Sequence, residues 1–127
     1  MVRTYRDLIA WQKAYALCLT IYRATRAFPI DERFGLVTEL RKTARSIQAN
    51  IAEGRHRPTA ADYMRFLGHS TGSVAELETQ LCLARDLGYL ASDELLEQLR
   101  EVDRLVKGLR DGLARSASFE ASKLRSF

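Results

Sequence analysis

The chain of 127 residues has little that would interrupt helices or cross a membrane. It contains only 2 prolines and 7 glycines, the residues that are least favourable inside a helix. No apolar run reaches the roughly 18 residues that a transmembrane helix needs. The first residues also lack the apolar core of a signal peptide. These features favour long helices, and they predict a cytoplasmic protein without a membrane partner.

Cysteine and histidine, which often carry catalysis or bind metals, are scarce as well. The chain has 2 cysteines, Cys18 and Cys82, and 2 histidines, His56 and His69. The cysteines lack metal-ligand spacing and lie in apolar helical segments, so we expect reduced, buried thiols. Neither histidine belongs to an HExxH motif or to a repeated Glu-x-x-His pair. The sequence therefore predicts a protein that is not an enzyme, with no metal and no cofactor.

Composition is that of a soluble single domain with a weak basic excess. Hydrophobic residues make up 46% and charged residues 28% of the chain, the proportions of an ordinary globular domain. The net charge is +4 and the isoelectric point is about 9.3. This balance is compatible with a nucleic-acid partner but does not require one.

Apolar residues recur at alternating intervals of three and four in four segments, the spacing of packed helices. The predicted helices run from about Thr4 or Arg6 to Ala27, from Glu32 to Glu53, from Ala60 to Leu87, and from a cap at Ser92 to about residue 115. Because the connections are short, we predict an all-α, up-down-up-down antiparallel four-helix bundle over residues 1–115. Residues 116–127 are predicted to be a frayed or disordered tail.

Aromatic residues and glycines carry the more specific packing predictions. Trp11, Tyr15 and Tyr22 fall on the predicted seam of the first helix, so we interpret them as core residues rather than as base-stacking groups. Gly54 is predicted to end the second helix. Gly68 and Gly72 lie inside the third helix, and their cost there suggests close approach of another backbone.

Two polar stripes follow helical spacing beside the apolar seams. The second helix carries Ser46, Asn50 and Glu53, and the third carries His69, Ser73, Glu76 and Gln80. In an antiparallel pair Ser46 should lie level with His69. The stripes fit either a hydrogen-bonded polar layer inside the bundle, or a subunit contact or ligand groove.

Basic residues cluster around the second connection. The candidates for phosphate contacts are Arg41, Lys42, Arg45, Arg55, Arg57 and Arg65. Folding should bring Arg41 and Arg45 to the levels of Ser73 and His69. The alternative is a solvated charged face, since acidic residues such as Glu39 and Asp62 dilute the positive charge.

Several segments, in order, resemble the bacterial four-helix-bundle family that includes the intervening-sequence proteins of 23S ribosomal RNA. The resemblance covers about residues 5–113 and rests on Tyr5-x-x-Leu8-x-x-Trp11-Gln12-Lys13-Ala14, Phe28-Pro29-x-x-Glu32-x-x-Gly35-Leu36, Ser46-Ile47-x-Ala49-Asn50-Ile51-Ala52-Glu53-Gly54-x-x-Arg57, Phe66-Leu67-x-x-Ser70-x-Gly72-Ser73-x-x-Glu76-Leu77-Glu78-Thr79 and Leu87-Gly88-Tyr89-Leu90. It implies an up-down bundle that assembles as a homopentamer. Another relative is the accessory protein of diversity-generating retroelements, a basic pentamer that works with a reverse transcriptase and nucleic acid. The family supplies no catalytic residues.

Two functional hypotheses follow. The first is a non-enzymatic bundle that self-assembles and presents basic residues to RNA or to an RNA–protein complex. The alternative is an oligomeric protein–protein interaction scaffold without a nucleic-acid partner, in which the polar stripes are subunit contacts.

Overall fold

Long helices account for most of the chain. The structure, a computed structural model, describes residues 1–125 and the side chains of residues 1–116. In this part of the chain four α-helices follow one another: α1 (Ile9–Thr25), α2 (Leu36–Arg55), α3 (Ala60–Asp86) and α4 (Glu94–Arg125). Each helix packs against the next, and α4 also packs against α1. The predicted all-α, up-down-up-down antiparallel four-helix bundle is confirmed.

The apolar seams of α2 and α3 form the centre of the core, as the sequence pattern predicts. On α2 the buried seam residues are Val37, Leu40, Ala44, Ile47 and Ile51, and on α3 they are Leu67, Val74, Leu77, Leu81 and Ala84. From α4 the bundle buries Leu95, Leu96, Leu99, Val102 and Val106. Each fully buried leucine or isoleucine contributes about 1.5–3 kcal/mol by leaving water, so these seams dominate the stability of the fold.

The buried face of α1 differs from the predicted aromatic seam. Its buried residues are Ala10, Ala14, Leu17, Cys18, Ile21 and Thr25. Tyr15 is 45% exposed, and Trp11 and Tyr22 are half-buried at the edge of the core. The interpretation of Tyr15 as a core residue is therefore wrong. The aromatic residues and the buried residues of α1 both follow helical spacing. The small alanines allow α1 to approach its neighbours closely, whereas the aromatic rings would hold it away.

The start of α1 also differs from the prediction. Tyr5–Asp7 forms a 3-10 turn, and Leu8 is extended, with φ −76° and ψ 125°. The turn has its own capping box, since the Arg6 amide donates to Thr4 Oγ1 at 3.2 Å and the Thr4 amide donates to Asp7 Oδ2 at 3.1 Å. The α-helix therefore begins only at Ile9.

The connection between α1 and α2 is longer than predicted. A 3-10 turn spans Ile30–Glu32, and α2 begins at Leu36 rather than at Glu32. Phe28 packs on the ring of Tyr89, with ring centroids 5.2 Å apart, and the Tyr89 hydroxyl donates to Glu32 Oε2 at 3.0 Å. These contacts tie the first connection to the third at one end of the bundle.

Glycines act differently from the prediction at two places. Gly54 lies inside α2 and is buried, and a Cβ there would lie 2.9 Å from Phe66 Cβ and 3.0 Å from Tyr63 Cδ1. Its role is close helix packing, not helix termination. Around Gly68 and Gly72 a Cβ would meet no atom within 4 Å in the described part of the chain, so the close approach predicted there is wrong.

The two ends of α3 agree with the local sequence signals. Thr59 is the N-cap, and its Oγ1 accepts a hydrogen bond from the Asp62 amide at 3.1 Å. Gly88 follows the helix with φ +82°, and the Tyr89 amide donates to the Ala84 carbonyl at 2.9 Å. This is the bond of a Schellman C-cap, which requires a left-handed residue such as glycine.

The α4 backbone continues past the end of the predicted bundle. It is helical to Arg125, and residues 114–125 contain no proline or glycine to stop it. Residues 126–127 and the side chains of residues 117–127 lie outside the described residues. The division of the chain near residue 115, with a frayed or disordered tail over 116–127, stays a prediction.

Candidate nucleic-acid and subunit interfaces

Two of the predicted phosphate-binding arginines hold α1 and α2 together. Arg41 Nε donates to Thr25 Oγ1 at 2.9 Å, and Arg41 Nη2 donates to the Tyr22 carbonyl at 3.2 Å. Arg45 Nη1 donates to the Tyr22 hydroxyl at 2.5 Å. Both arginines therefore bind α1, although they were predicted to lie level with Ser73 and His69 of α3. Their stripe on α2 is rotated towards α1, and only the packing order of the helices shows this.

A polar layer does join α2 to α3, one turn away from the predicted level. Ser46 Oγ lies 2.7 Å from the Thr43 carbonyl and 2.6 Å from Ser73 Oγ. With its single proton donated to the carbonyl, Ser46 accepts a hydrogen bond from Ser73. The Asn50 amide donates to the Ser46 carbonyl at 2.8 Å and so stays on its own helix. Ser73, not His69, is therefore the partner of Ser46.

A second hydroxyl reinforces this contact from inside the core. Ser70 is fully buried, and its Oγ donates to the Ile47 carbonyl at 2.9 Å. A buried hydroxyl without a partner would cost about 1–3 kcal/mol. The bond between Ser70 and Ile47 therefore helps to set the register of α2 against α3.

An open groove of about 470 Å³ runs between α2 and α3 above the polar layer. Its lining residues are Glu39, Lys42, Thr43, Ser46, Ser73, Glu76 and Gln80. Gln80 Nε2 donates to Glu76 Oε1 at 3.4 Å, and the buried Gln80 Oε1 has no hydrogen-bond partner among the described residues. The charged residues that line the groove are of both signs, with Glu39 and Glu76 negative and Lys42 positive. Such a lining suits polar contacts with another protein surface better than it suits phosphate.

The polar stripe of α3 continues into exposed apolar residues. Leu83 and Leu87 follow Gln80 at intervals of three and four and are 51% and 50% exposed. They lie towards the end of the bundle that carries the first and third connections. The predicted stripe ended at Gln80 because only polar residues were included, although the helical spacing continues to Leu87.

The opposite end of the α2–α3 face carries a basic and aromatic cluster. The guanidinium carbons of Arg57 and Arg65 lie 4.6 Å and 4.7 Å from the centroid of the Phe66 ring. Arg57 also pairs with Glu53 at 2.6 Å, and Arg65 with Asp62 at 3.6 Å. Exposed ion pairs of this kind contribute about 0–1 kcal/mol, so neither carboxylate holds its arginine firmly.

The remaining predicted site residues lie around this cluster. His69 is exposed, with its ring centroid 5.7 Å from that of Phe66. Arg55 is half-buried beside Tyr63. Burial raises the pKa of Tyr63, and the positive charge of Arg55 partly offsets that rise. Of the predicted phosphate-binding residues, Arg55, Arg57 and Arg65 thus share one end of the bundle, while Lys42 lies at the groove.

A row of partly or fully exposed aromatic rings lies at this same end, and two of them, Trp11 and Tyr15, were predicted to be core residues. We call His56, Tyr5, Trp11 and Tyr15 the aromatic row. The centroid distances are 5.9 Å from His56 to Tyr5, 5.1 Å from Tyr5 to Trp11 and 5.0 Å from Trp11 to Tyr15. Trp11 and Tyr15 are stacked with 12° between their planes. The alanines at positions 10 and 14 are the sequence signal that could have placed the rings outside.

The part of the chain that the structure describes shows no further chemical site of these kinds. There, no group of three or more His, Cys, Asp or Glu residues could hold a metal ion. Both cysteines are free thiols. Over the same residues, no helix is long and apolar enough to cross a membrane. The absence of enzymatic activity and of a cofactor stays a prediction.

The fold and these surfaces define a small all-α bundle whose candidate sites lie on open helix faces. The family model of the 23S rRNA-intervening sequence protein matches residues 6–111. The chain belongs to the 23S rRNA-intervening sequence protein family, as the resemblance of its segments indicated. A comparison with curated proteins finds no match to this chain.

Proposed function

We propose that this chain is a non-enzymatic, self-associating cytoplasmic protein that binds RNA, alone or within an RNA–protein complex. The observation that carries the proposal is the cluster at the α2–α3 connection, where the guanidinium groups of Arg57 and Arg65 both lie over the ring of Phe66. Guanidinium groups bind phosphate oxygens bidentately, and aromatic rings stack on bases. The cluster offers both kinds of contact within one short connection.

Electrostatics at the cluster favour exchange of its carboxylate partners for phosphate. Glu53 and Asp62 pair with the two arginines only at the exposed surface, where such pairs are weak and screened by salt. A guanidinium group has five N–H donors, so each arginine keeps donors free while it contacts its carboxylate. Arg55 and the overall charge of +4 add long-range attraction for a polyanion.

Self-association is proposed through the α2–α3 face. The groove presents the polar side chains of Glu76 and Gln80, and the same stripe ends in exposed Leu83 and Leu87. A second copy would cover the leucines and make polar contacts along the groove. The assembly that the family resemblance implies is a homopentamer.

The RNA-binding proposal is tested by fluorescence anisotropy of a labelled structured RNA at several salt concentrations. Phosphate contacts make log affinity fall linearly with log salt, with about 0.7–0.9 units of slope per contact. Replacing Arg57→Glu together with Arg65→Glu should weaken binding and reduce the slope by about 1.4–1.8. The matched glutamine pair separates lost contacts from added repulsion.

The chain offers a control for this test at the opposite end of the bundle. Arg33 lies over the exposed ring of Phe34, 5.3 Å from its centroid, and Arg26 is also exposed. Replacing both Arg26 and Arg33 by glutamate makes the same change in net charge and leaves the cluster unchanged. Equal losses of affinity from the two double variants would overturn the site assignment.

The alternative function is an oligomeric protein–protein scaffold without a nucleic-acid partner, and the mixed-charge groove favours it. Sedimentation velocity of Glu76→Ala and Leu83→Glu variants measures the assembly directly. Reduced oligomer mass, together with no RNA binding by the unmodified protein at low salt, would establish the scaffold. An unchanged mass in both variants would rule out this face as the subunit contact.

A further inference from the structure

The aromatic row is more exposed to solvent than packing against the core requires. Trp11 packs partly against the core, but Tyr15 stacks on the outer side of Trp11 and is 45% exposed. A tyrosine in water covers little of the core, so its ring contributes little to folding. Its stacking on Trp11 instead makes a continuous aromatic surface along the first two turns of α1.

A basic residue lies beside one end of this aromatic surface. In the sequence, no acidic residue occurs between Asp7 and Asp31. Arg6 lies 5.9 Å from the centroid of the Tyr5 ring, and its guanidinium group is always charged. The Asp7 carboxylate accepts hydrogen bonds from the amides of Arg3 and Thr4. Those bonds lower the pKa of Asp7 and hold its charged carboxylate against its own turn.

The row is continuous with the proposed phosphate contacts. His56, which lies against Tyr5, is the sequence neighbour of both Arg55 and Arg57. An RNA strand with phosphates on Arg57 would therefore have its next bases beside Tyr5 and Trp11. Bases in a duplex are already stacked on one another, whereas unpaired bases have free faces for aromatic side chains.

We propose that the aromatic row is a stacking platform for unpaired bases, and that the RNA is single-stranded where it crosses α1. This inference rests on the proposed RNA binding and specifies which kind of RNA the site accepts. Tyr15 presents the outermost ring of the platform, and Arg6 contacts the adjoining phosphate. Stacking is tolerant of sequence, so the platform selects unpaired structure rather than particular bases.

The protein contains an internal reporter for this proposal. Trp11 is the single tryptophan of the chain, so its emission reports on the row alone. The unmodified protein is titrated with a labelled RNA of about 12 nucleotides without self-complementarity, a length within known single-strand site sizes. An RNA duplex of equal charge is titrated in parallel. Anisotropy measures binding, and we expect the single strand, but not the duplex, to quench Trp11 emission.

Substitution of the exposed ring tests the same point by affinity. Tyr15→Leu keeps an apolar side chain but removes the ring, and should weaken single-strand binding by about 5-fold or more. Tyr15→Phe should restore full affinity, and duplex binding should not change in either variant. Phe34→Leu is the matched control, since Phe34 is 86% exposed at the opposite end and also lies against an arginine.

The contrary results separate failure of the stacking platform from failure of the proposed function. Salt-dependent RNA binding without quenching of Trp11 would refute the stacking platform while leaving the proposed function intact. So would a Tyr15→Leu variant that loses oligomer mass in sedimentation but keeps its RNA affinity, because the row would then be a subunit contact. If the unmodified protein binds neither RNA at low salt, the proposed function fails and the platform fails with it.

Discussion

The close contact at Gly54 allows a prediction whose sign depends on the tertiary structure. Gly54 lies inside α2, where replacing glycine by alanine normally stabilises a helix by about 1 kcal/mol. The added Cβ, however, would lie 2.9 Å from Phe66 Cβ and 3.3 Å from the Tyr63 carbonyl oxygen. Neither atom is the end of a flexible side chain, so relief requires α2 and α3 to move apart. We therefore expect Gly54→Ala to destabilise the protein.

The magnitude follows from the two opposing terms. Overpacking a well-packed contact costs about 1–3 kcal/mol, and the helix propensity returns about 1 kcal/mol of it. The net loss of about 0–2 kcal/mol lowers the urea midpoint by up to about 1 M for a domain of this size. The assay is equilibrium unfolding in urea, followed by circular dichroism at one fixed protein concentration, because self-association shifts apparent stability.

Gly72→Ala provides the internal control for this prediction. It makes the same chemical change in a helix interior, but a Cβ there meets no described atom within 4 Å. It should raise stability by up to about 1 kcal/mol through helix propensity alone. If Gly54→Ala proved as stable as Gly72→Ala, the argument from close approach would be refuted.

Three further variants test the polar contacts. Tyr63→Phe removes a buried hydroxyl that has no partner among the described residues, so stability at neutral pH should stay equal or rise by up to about 1 kcal/mol. Burial raises the pKa of Tyr63 in the native state, so the unfolded chain loses its Tyr63 proton first, and the stability present below pH about 10 is lost as pH rises further. In urea titrations above pH about 10, the Tyr63→Phe variant should therefore lose less stability than the unmodified protein. An equal loss would contradict this. Arg41→Met removes the bonds to Tyr22 and Thr25 and should lower stability by about 1–2 kcal/mol, with RNA affinity by anisotropy as the check that it is structural. Ser70→Ala deletes the buried bond to the Ile47 carbonyl and should cost about 1 kcal/mol in the urea assay; no loss would mean that Ser70 does not set register.

Much of the bundle follows from signals that are local in the sequence. The seam of α2 contains one run of apolar residues at helical spacing, so Leu40, Ile47 and Ile51 have one possible face. Thr59 and Gly88 cap α3 through bonds to residues three to five positions away. Such interactions are complete within a few residues, and sequence analysis predicted them correctly.

The candidate sites were predictable only in part. Arg57 and Arg65 flank one short connection, so their proximity follows from the chain itself. Ser46 and Ser73 could be assigned to facing stripes, but their pairing was missed by one turn because the predicted connection was folded at the wrong residue. Tyr15 was misplaced because two rows of α1 satisfy the same period.

The sequence by itself therefore determined the number of the helices, their alternating directions and their approximate ends. The tertiary structure decided which face of α1 is buried, that Gly54 is a packing contact, and that Arg41 binds α1 rather than α3. Each of these outcomes depends on how closely two backbones approach and on which helix occupies a given side. The spacing of residues within one helix contains no information about the distance to a neighbouring helix or about which helix that neighbour is. Both depend on the packing of side chains from different parts of the chain.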